Sequence, residues 1–142
     1  MRYVALDYGL ARTGVAFAEG EEAPVLPVET VHAARFPNRH AFLDALAERI
    51  VALRADCCVI GLPIPLDGGE ESLSCRQIRN AARRLARRIA IPIVFENEAL
   101  TSEEAWETLR EAGIPQKKRR AVLDQESACL ILSSYLAGRG RV

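Results

Sequence analysis

The chain has 142 residues, of which 49% are hydrophobic and 27% are charged, a composition typical of one globular domain covering residues 1–142. No run approaches the roughly 18 apolar residues that a membrane span needs, and no apolar signal region precedes the first segment, so we expect a cytoplasmic protein without a membrane partner. The 19 basic and 19 acidic side chains cancel, so net charge gives no argument about a nucleic-acid partner.

The four cysteines lack the C-x-x-C spacing of a zinc site, and the chain has only two histidines. Zinc or disulfide chemistry is therefore not predicted. Cys57 and Cys58 lie in the apolar run DCCVIGL, which predicts buried, reduced thiols in a strand.

The N-terminal part of the chain predicts three strands. Tyr3 to Asp7 is an apolar run that ends in a turn, and Gly14 to Ala18 follows a polar break to form a hairpin with it. Val25 to Val31 is a third strand, and Pro24 and Pro27 predict that it is an edge strand.

Helices and strands then alternate along the chain. Asn38 caps a helix with apolar residues at spacings of three and four, and Cys57 to Leu62 is an all-apolar strand typical of a parallel sheet. A loop rich in proline and glycine leads to an arginine-rich helix. The remaining predicted elements are a strand from Ile93 to Glu96 or slightly further, a helix that opens at Thr101, and a last helix over most of Asp124 to Leu136.

This order predicts an α/β fold with a five-stranded mixed sheet flanked by helices. It is the order found in the ribonuclease H-like fold.

Two acidic residues lie at predicted strand ends. Asp7 follows four apolar strand residues, and Gly9 permits the close approach of a phosphate or metal. Glu98 lies just past the fifth strand, and Glu96 shares its face if the strand continues. For Asp7 the alternative is a turn residue, and for Glu98 it is an ordinary surface acid.

A third acidic residue interrupts an apolar helix face. On a helix, Asp124 shares one stripe with Ala128, Ile131 and Tyr135, so its carboxylate should point toward the protein body. The alternative is a helix N-cap. If the three acids converge, their oxygen atoms suit Mg²⁺ or Mn²⁺, which would support metal-dependent phosphodiester cleavage.

Basic residues concentrate in two places, which suits a protein with one phosphate-facing side. One is the arginine-rich helix, and the other is the run that includes Lys117, Lys118 and Arg119 ahead of Asp124. We predict that this run contacts substrate phosphates; a solvated surface is the alternative.

Four segments resemble the YqgF family, also called RuvX. They are LDYGLARTGVA from Leu6, VIGLPIPLDGGE from Val59, NEALTSEEA from Asn97, and GIPQKKRRAVLDQESACLILSSYL from Gly113. The resemblance implies a nuclease with a ribonuclease H-like fold, related to Holliday-junction resolvases and assigned to 5′-end maturation of precursor 16S ribosomal RNA. It also implies ribosomal particles as partners.

The resemblance carries over to individual residues. It implies that Asp7, Glu98 and Asp124 are the catalytic and metal-binding acids, and it places Arg12 and Asp67 near the substrate.

Several positions depart from the family pattern. Asn97 and Ala99 replace an expected Asp and Arg beside Glu98, and Glu126 replaces an apolar residue after Asp124. Glu126 either adds a fourth carboxylate to the site or faces solvent. These departures affect the expected catalytic activity more than the expected fold.

Three other functions compete with the rRNA nuclease. They are a non-catalytic nucleic-acid-binding module, a Holliday junction resolvase acting on DNA, and a phosphotransferase. The strand and turn at Asp7 resemble the phosphate loop of the actin, Hsp70 and sugar-kinase superfamily, but those proteins bind ATP between two such domains and this chain supplies one. The sequence decides neither RNA against DNA nor endonuclease against exonuclease. Nothing in it encodes a dimer, so we expect a monomer or a weak dimer.

Overall fold

A computed structural model describes residues 1–65, 67–98 and 116–139, and the side chains of these residues apart from 116–122 and 139. The described residues form five strands and three α-helices around one mixed sheet. The strands are β1 (Tyr3–Asp7), β2 (Arg12–Ala18), β3 (Leu26–His32), β4 (Cys57–Leu62) and β5 (Ile93–Asn97), and the helices are α1 (Arg39–Ala52), α2 (Leu73–Ala86) and α3 (Gln116–Arg139).

The strand order is β3-β2-β1-β4-β5, with β1 at the centre. β1 pairs antiparallel with β2 and parallel with β4, and β4 pairs parallel with β5. The carboxyl ends of β1, β4 and β5 therefore meet at one edge of the sheet, where α/β proteins commonly bind their ligands.

Helices cover both faces of the sheet. α1 and α2 pack on one face through a cluster that includes Phe42, Leu46 and Leu85, and α3 packs on the other through Ile131 and Leu132. Every residue of β4 is buried, Cys57 and Cys58 included, because it lies between two strands and beneath helices on both sides. Within the described residues, no helix has the combined length and apolar character needed to cross a membrane.

The architecture confirms the fold predicted from sequence, including the edge position of β3 and the Asn38 cap, whose side chain accepts a hydrogen bond from Ala41 N at 2.8 Å. The polar break that we predicted before the second strand is wrong. Arg12 and Thr13 belong to β2 and pair with residues of β3. A strand can carry this arginine because its side chain has an acidic partner on α3.

The last helix begins at Gln116, earlier than the sequence predicted. The basic run is therefore part of α3 and does not precede it, and its residues are good helix formers. Asp124 lies inside the helix, so the N-cap alternative for this residue is wrong. The predicted helix that opens at Thr101 lies outside the described residues.

Candidate active site at the carboxyl edge of the sheet

Two acidic side chains meet at the carboxyl edge of the sheet. Asp7 is the last residue of β1, and Glu98 follows β5, where its backbone N–H donates to the carbonyl of Leu62 at 3.1 Å and so extends the sheet by one bond. Glu98 is 9% exposed. The carboxyl groups of Asp7 and Glu98 are hydrogen-bonded to each other, which requires a proton on one of them.

Asp124 approaches this edge from α3. Its helix stripe is apolar as predicted, since Ala128 and Ile131 are fully buried. Gly14, which pairs with Asp7 across β1 and β2, lies directly beneath the backbone of Asp124, and a Cβ at this position would collide with the Asp124 carbonyl. The absence of a side chain at Gly14 therefore lets α3 bring its acid to the sheet.

The charges around Asp7 show that the three acids form one electrostatic cluster. Burial, then the charges of Glu98 and Asp124, raise the pKa of Asp7 well above its ordinary value, and Arg12 acts in the opposite direction. Burial raises the pKa of Glu98 to about 7, although its hydrogen bond with Asp7 opposes the shift. The side-chain hydrogen bond between the two acids raises the pKa of Asp7 and lowers that of Glu98.

Arg12 faces the cluster from the first position of β2. Its Nε lies 2.6 Å from Asp124 Oδ2, and both atoms are buried. The contact is an ion pair whose angles fall outside those of a hydrogen bond. Sequence reasoning placed Arg12 near the substrate and missed this pairing, because nothing local in the sequence marks a contact between the start of β2 and the middle of α3.

A second glycine makes room for Glu98. A Cβ at Gly61 of β4 would collide with the side chain of Ile131 and lie 2.8 Å from Glu98 Oε2. In the sequence, Gly61 is only one position of the segment VIGLPIPLDGGE, and the structure shows that its missing side chain leaves space for the acid.

The structure also separates the predicted acids from their neighbours. Among the described residues, the charges that act on Asp7 are those of Glu98, Asp124 and Arg12, so Glu98 joins the cluster and Glu96 does not. Glu126 acts on Cys129, whose pKa burial and the Glu126 charge raise to about 11. Glu126 is not among the charges of described residues that act on Asp7.

The predicted substrate-binding residues lie less close together than the three acids do. Gly9 packs against the Arg12 carbonyl, where a Cβ would lie 2.7 Å from the oxygen. Asp67 is exposed and closes a turn by accepting a hydrogen bond from Gly69 N at 2.8 Å. Lys117, Lys118 and Arg119 lie in α3, and their side chains are outside the described residues. Substrate contact by any of these residues stays a prediction.

Arg39 of α1 supports the turn that follows Asp7 and was not identified from the sequence. Its guanidinium donates to the Leu10 carbonyl at 2.8 Å and to the Tyr8 hydroxyl at 3.3 Å. Both contacts join distant parts of the chain, so no local pattern predicts them.

The donor chemistry of the cluster fits a hard divalent cation. All candidate ligands are carboxylate oxygens, and Glu98 Oε2 is buried without a hydrogen-bond partner among the described residues. In the described part of the chain no group of three or more His, Cys, Asp or Glu side chains is already arranged to hold a metal ion. Asp7 and Glu98 supply adjoining oxygens, whereas Asp124 is in contact with Arg12.

Solved structures with this fold include Holliday-junction resolvases. The RuvC protein of T. thermophilus, solved with a Holliday junction substrate, superposes with a TM-score of 0.63 at 16% identity, covering 99% of this chain and 97% of that one. The yeast mitochondrial resolvase Ydc2 gives a TM-score of 0.53 at 10% identity, covering 97% of this chain and 78% of that one. At these identities the likeness shows the fold alone.

Sequence relatives are much more similar. A protein of Oleidesulfovibrio alaskensis named "Putative pre-16S rRNA nuclease" is 42% identical over 136 residues, 96% of this chain and 92% of that protein. A protein of the same name from Nitratidesulfovibrio vulgaris strain DP4 is 39% identical over 137 residues, 96% of this chain and 94% of that protein. The family model described as "RuvX: Holliday junction resolvase" matches residues 1–138. The chain therefore belongs to the RuvX family.

Proposed function

We propose that the protein is a metal-dependent nuclease that hydrolyses phosphodiester bonds, with Asp7, Glu98 and Asp124 as its catalytic, metal-binding acids. The observation that carries the proposal is the convergence of these three acids, from β1, the end of β5 and α3, into one cluster that raises the pKa of Asp7. A buried acidic cluster is costly unless it is compensated, and such sites are commonly functional.

A bound Mg²⁺ or Mn²⁺ would activate the attacking water and stabilise the charge on the leaving oxygen. The chain's own residues then have distinct tasks. Asp7 and Glu98 hold adjoining oxygens at a sheet edge fixed by backbone hydrogen bonds, and α3 supplies Asp124 from the opposite side. The glycines at positions 14 and 61 leave the space in which these acids meet.

We propose precursor 16S ribosomal RNA as the substrate, and 5′-end maturation as the step. The names of the relatives support precursor 16S rRNA as the substrate, and the alignments cover 96% of this chain and 92% and 94% of the two relatives. Acting on this substrate would bring the protein to ribosomal particles in the cytoplasm, as a monomer or a weak dimer. A four-way DNA junction is the second candidate, favoured by the description of the family model.

The proposal is tested by incubating the full chain with a precursor 16S rRNA fragment and, separately, with a four-way DNA junction, each with Mg²⁺, Mn²⁺ or EDTA. We expect cleavage of the RNA with either metal and none with EDTA. Asp7→Asn, Glu98→Gln and Asp124→Asn should each lower the rate at least about 100-fold, because loss of a ligand should cost no less than loss of a group that supports one. Mapping the product ends would distinguish endonuclease from exonuclease action.

Two neighbouring acids provide matched controls. Glu96→Gln alters β5 two residues before Glu98, and Glu126→Gln alters α3 two residues after Asp124; both should retain activity. Equal cleavage by the native chain and Asp7→Asn would show that the proposed site is wrong. Binding of RNA without cleavage under any metal condition would favour the non-catalytic module. Preferential cleavage of the DNA junction would favour the resolvase. Tight binding of ATP would favour the phosphotransferase.

A further inference from the structure

The ion pair between Arg12 and Asp124 lies within the proposed metal site. The side chains are 33% and 16% exposed, and the two contacting atoms are themselves buried. A contact of this kind is not an ordinary surface ion pair, because both groups have lost much of their hydration and breaking it leaves a buried charge to be compensated.

Arg12 also acts on Asp7. Among the charges that act on Asp7 in the described residues, those of Glu98 and Asp124 oppose its ionisation and that of Arg12 favours it. The guanidinium therefore supplies to Asp7 and Asp124 part of the positive charge that a divalent cation would otherwise supply.

The backbone fixes this arrangement. Arg12, Gly14 and Ala16 alternate along β2 and face α3, and Gly14 holds the backbone of Asp124 against the strand. Asp124 therefore cannot move far from Arg12 as part of the helix. Exchange of its partner would require rotation of side chains, chiefly of the long and partly exposed arginine.

We infer that Arg12 is a displaceable counter-cation that holds Asp124 in the metal-free protein and must release it when a divalent cation binds. This inference rests on the proposed function, because it takes the three acids as the metal ligands. Part of the metal's binding energy is spent on breaking the ion pair, so Arg12 lowers the apparent metal affinity. It is a positioning residue of the metal-free site and is not itself a ligand.

The test is titration of the full chain with Mn²⁺ alone, followed by calorimetry, without nucleic acid. Arg12→Gln keeps a polar side chain but removes the charge, and we expect it to bind Mn²⁺ about tenfold more tightly than the native chain. Its melting temperature without metal should fall, because Asp124 loses the ion pair with Arg12. The rise in melting temperature on adding Mn²⁺ should be larger than in the native chain.

Arg49→Gln is the matched control. Arg49 pairs with Glu29 through the same nitrogen, Nε to Oε1 at 3.0 Å, and is 34% exposed, but it is not among the charges that act on Asp7. This variant should leave Mn²⁺ affinity unchanged. Arg12→Lys keeps a charge without the guanidinium plane, so its affinity should lie between those of the native chain and Arg12→Gln; it also provides the comparison if Arg12→Gln does not fold.

The outcomes separate the exchange from the site itself. Suppose that Asp7→Asn abolishes Mn²⁺ binding, and that the Arg12 variants bind Mn²⁺ as tightly as the native chain or more weakly. The proposed release of Asp124 by Arg12 would then be wrong, and the metal site would stand. Absence of Mn²⁺ binding by every variant would overturn both. If the Arg12 variants bind Mn²⁺ more tightly, and adding Asp124→Asn abolishes that gain, the release of Asp124 by Arg12 is supported.

Discussion

At the scale of single residues, the site depends as much on absent side chains as on charged ones. Gly14 and Gly61 lie where two acids need space, and neither position requires an unusual backbone angle. Their importance comes from close packing, because a methyl group has no volume to occupy at either place.

Gly14→Ala should therefore destabilise the protein by about 3 kcal/mol or more, since its Cβ would meet the backbone of α3 and not a flexible side chain. Urea unfolding of the metal-free protein measures the loss. Gly20→Ala is the control, because a Cβ there meets nothing within 4 Å, and its stability should stay within about 1 kcal/mol of native. Equal stability of the two variants would contradict the close contact between β2 and α3.

Stability of the metal-free protein should also depend on Glu98 protonation. The pKa of Glu98 is raised from 4.5 to about 7 in the folded state, chiefly by burial, so the folded protein keeps a proton that the unfolded chain has released. The stabilisation is complete below pH 4.5 and is lost as pH rises to about 7, a change of about 3 kcal/mol.

Urea unfolding at pH 5 and pH 7.5 in EDTA measures this loss. Glu98→Gln should flatten the dependence, although the raised pKa of Asp7 leaves a part of it, whereas Glu96→Gln should behave as the native chain does. Stability that instead rises between these pH values in the native chain, and not in Glu98→Gln, would contradict the burial of an ionisable Glu98.

At the scale of the elements, α2 carries charge that the described part of the chain does not neutralise. Three exposed arginines lie along one side of this helix, from its first turn to the residue that follows it: Arg76, Arg83 and Arg87. None of them has an ion pair with a described residue. Arg79, beside them, pairs with Glu71 and lies over the ring of Phe95. Arginines without acidic partners are suited to phosphate contacts, and a solvated face is the alternative.

Replacing Arg83 and Arg87 together with Gln distinguishes these interpretations. If both contact phosphates, the slope of log affinity against log salt for nucleic acid should become shallower by about 1.5. The double variant Arg35→Gln and Arg54→Gln removes the same charge from exposed positions elsewhere and should change the slope less. An identical slope in both double variants would show that the α2 stripe only faces solvent. Binding assays in EDTA keep cleavage out of the measurement.

At the scale of the whole molecule, the two faces of the sheet have different tasks. α1 and α2 cover one face with an apolar core, whereas α3 covers the other and also carries Asp124. Ile131 of α3 is fully buried in the core on this face, and it also packs beside Gly61 and Glu98 at the candidate site.

Ile131→Ala and Leu46→Ala remove buried aliphatic side chains from opposite faces, and each should cost about 2–5 kcal/mol of unfolding free energy. Only Ile131→Ala should also weaken Mn²⁺ binding when both variants are measured at a temperature where they are fully folded, because it loosens the packing around Glu98. Equal Mn²⁺ binding by the two variants would show that the site does not depend on this side of the core.

The sequence by itself determined the order of the strands and helices that the structure describes, because apolar periodicity, caps and turn residues act over a few positions. It also identified Asp7, Glu98 and Asp124 as candidates, from their places at strand ends and on an apolar helix stripe. It misplaced the start of β2 and of α3, where polar residues were read as breaks although each fits a regular element.

Only the tertiary structure decided how these groups meet. It placed Glu98 rather than Glu96 beside Asp7 and paired Asp124 with Arg12. Such pairings join segments far apart in the chain, and their geometry follows from close packing of α3 on the sheet at a glycine. No local pattern encodes a contact of this kind, because its energy exists only once both surfaces have been brought together and desolvated.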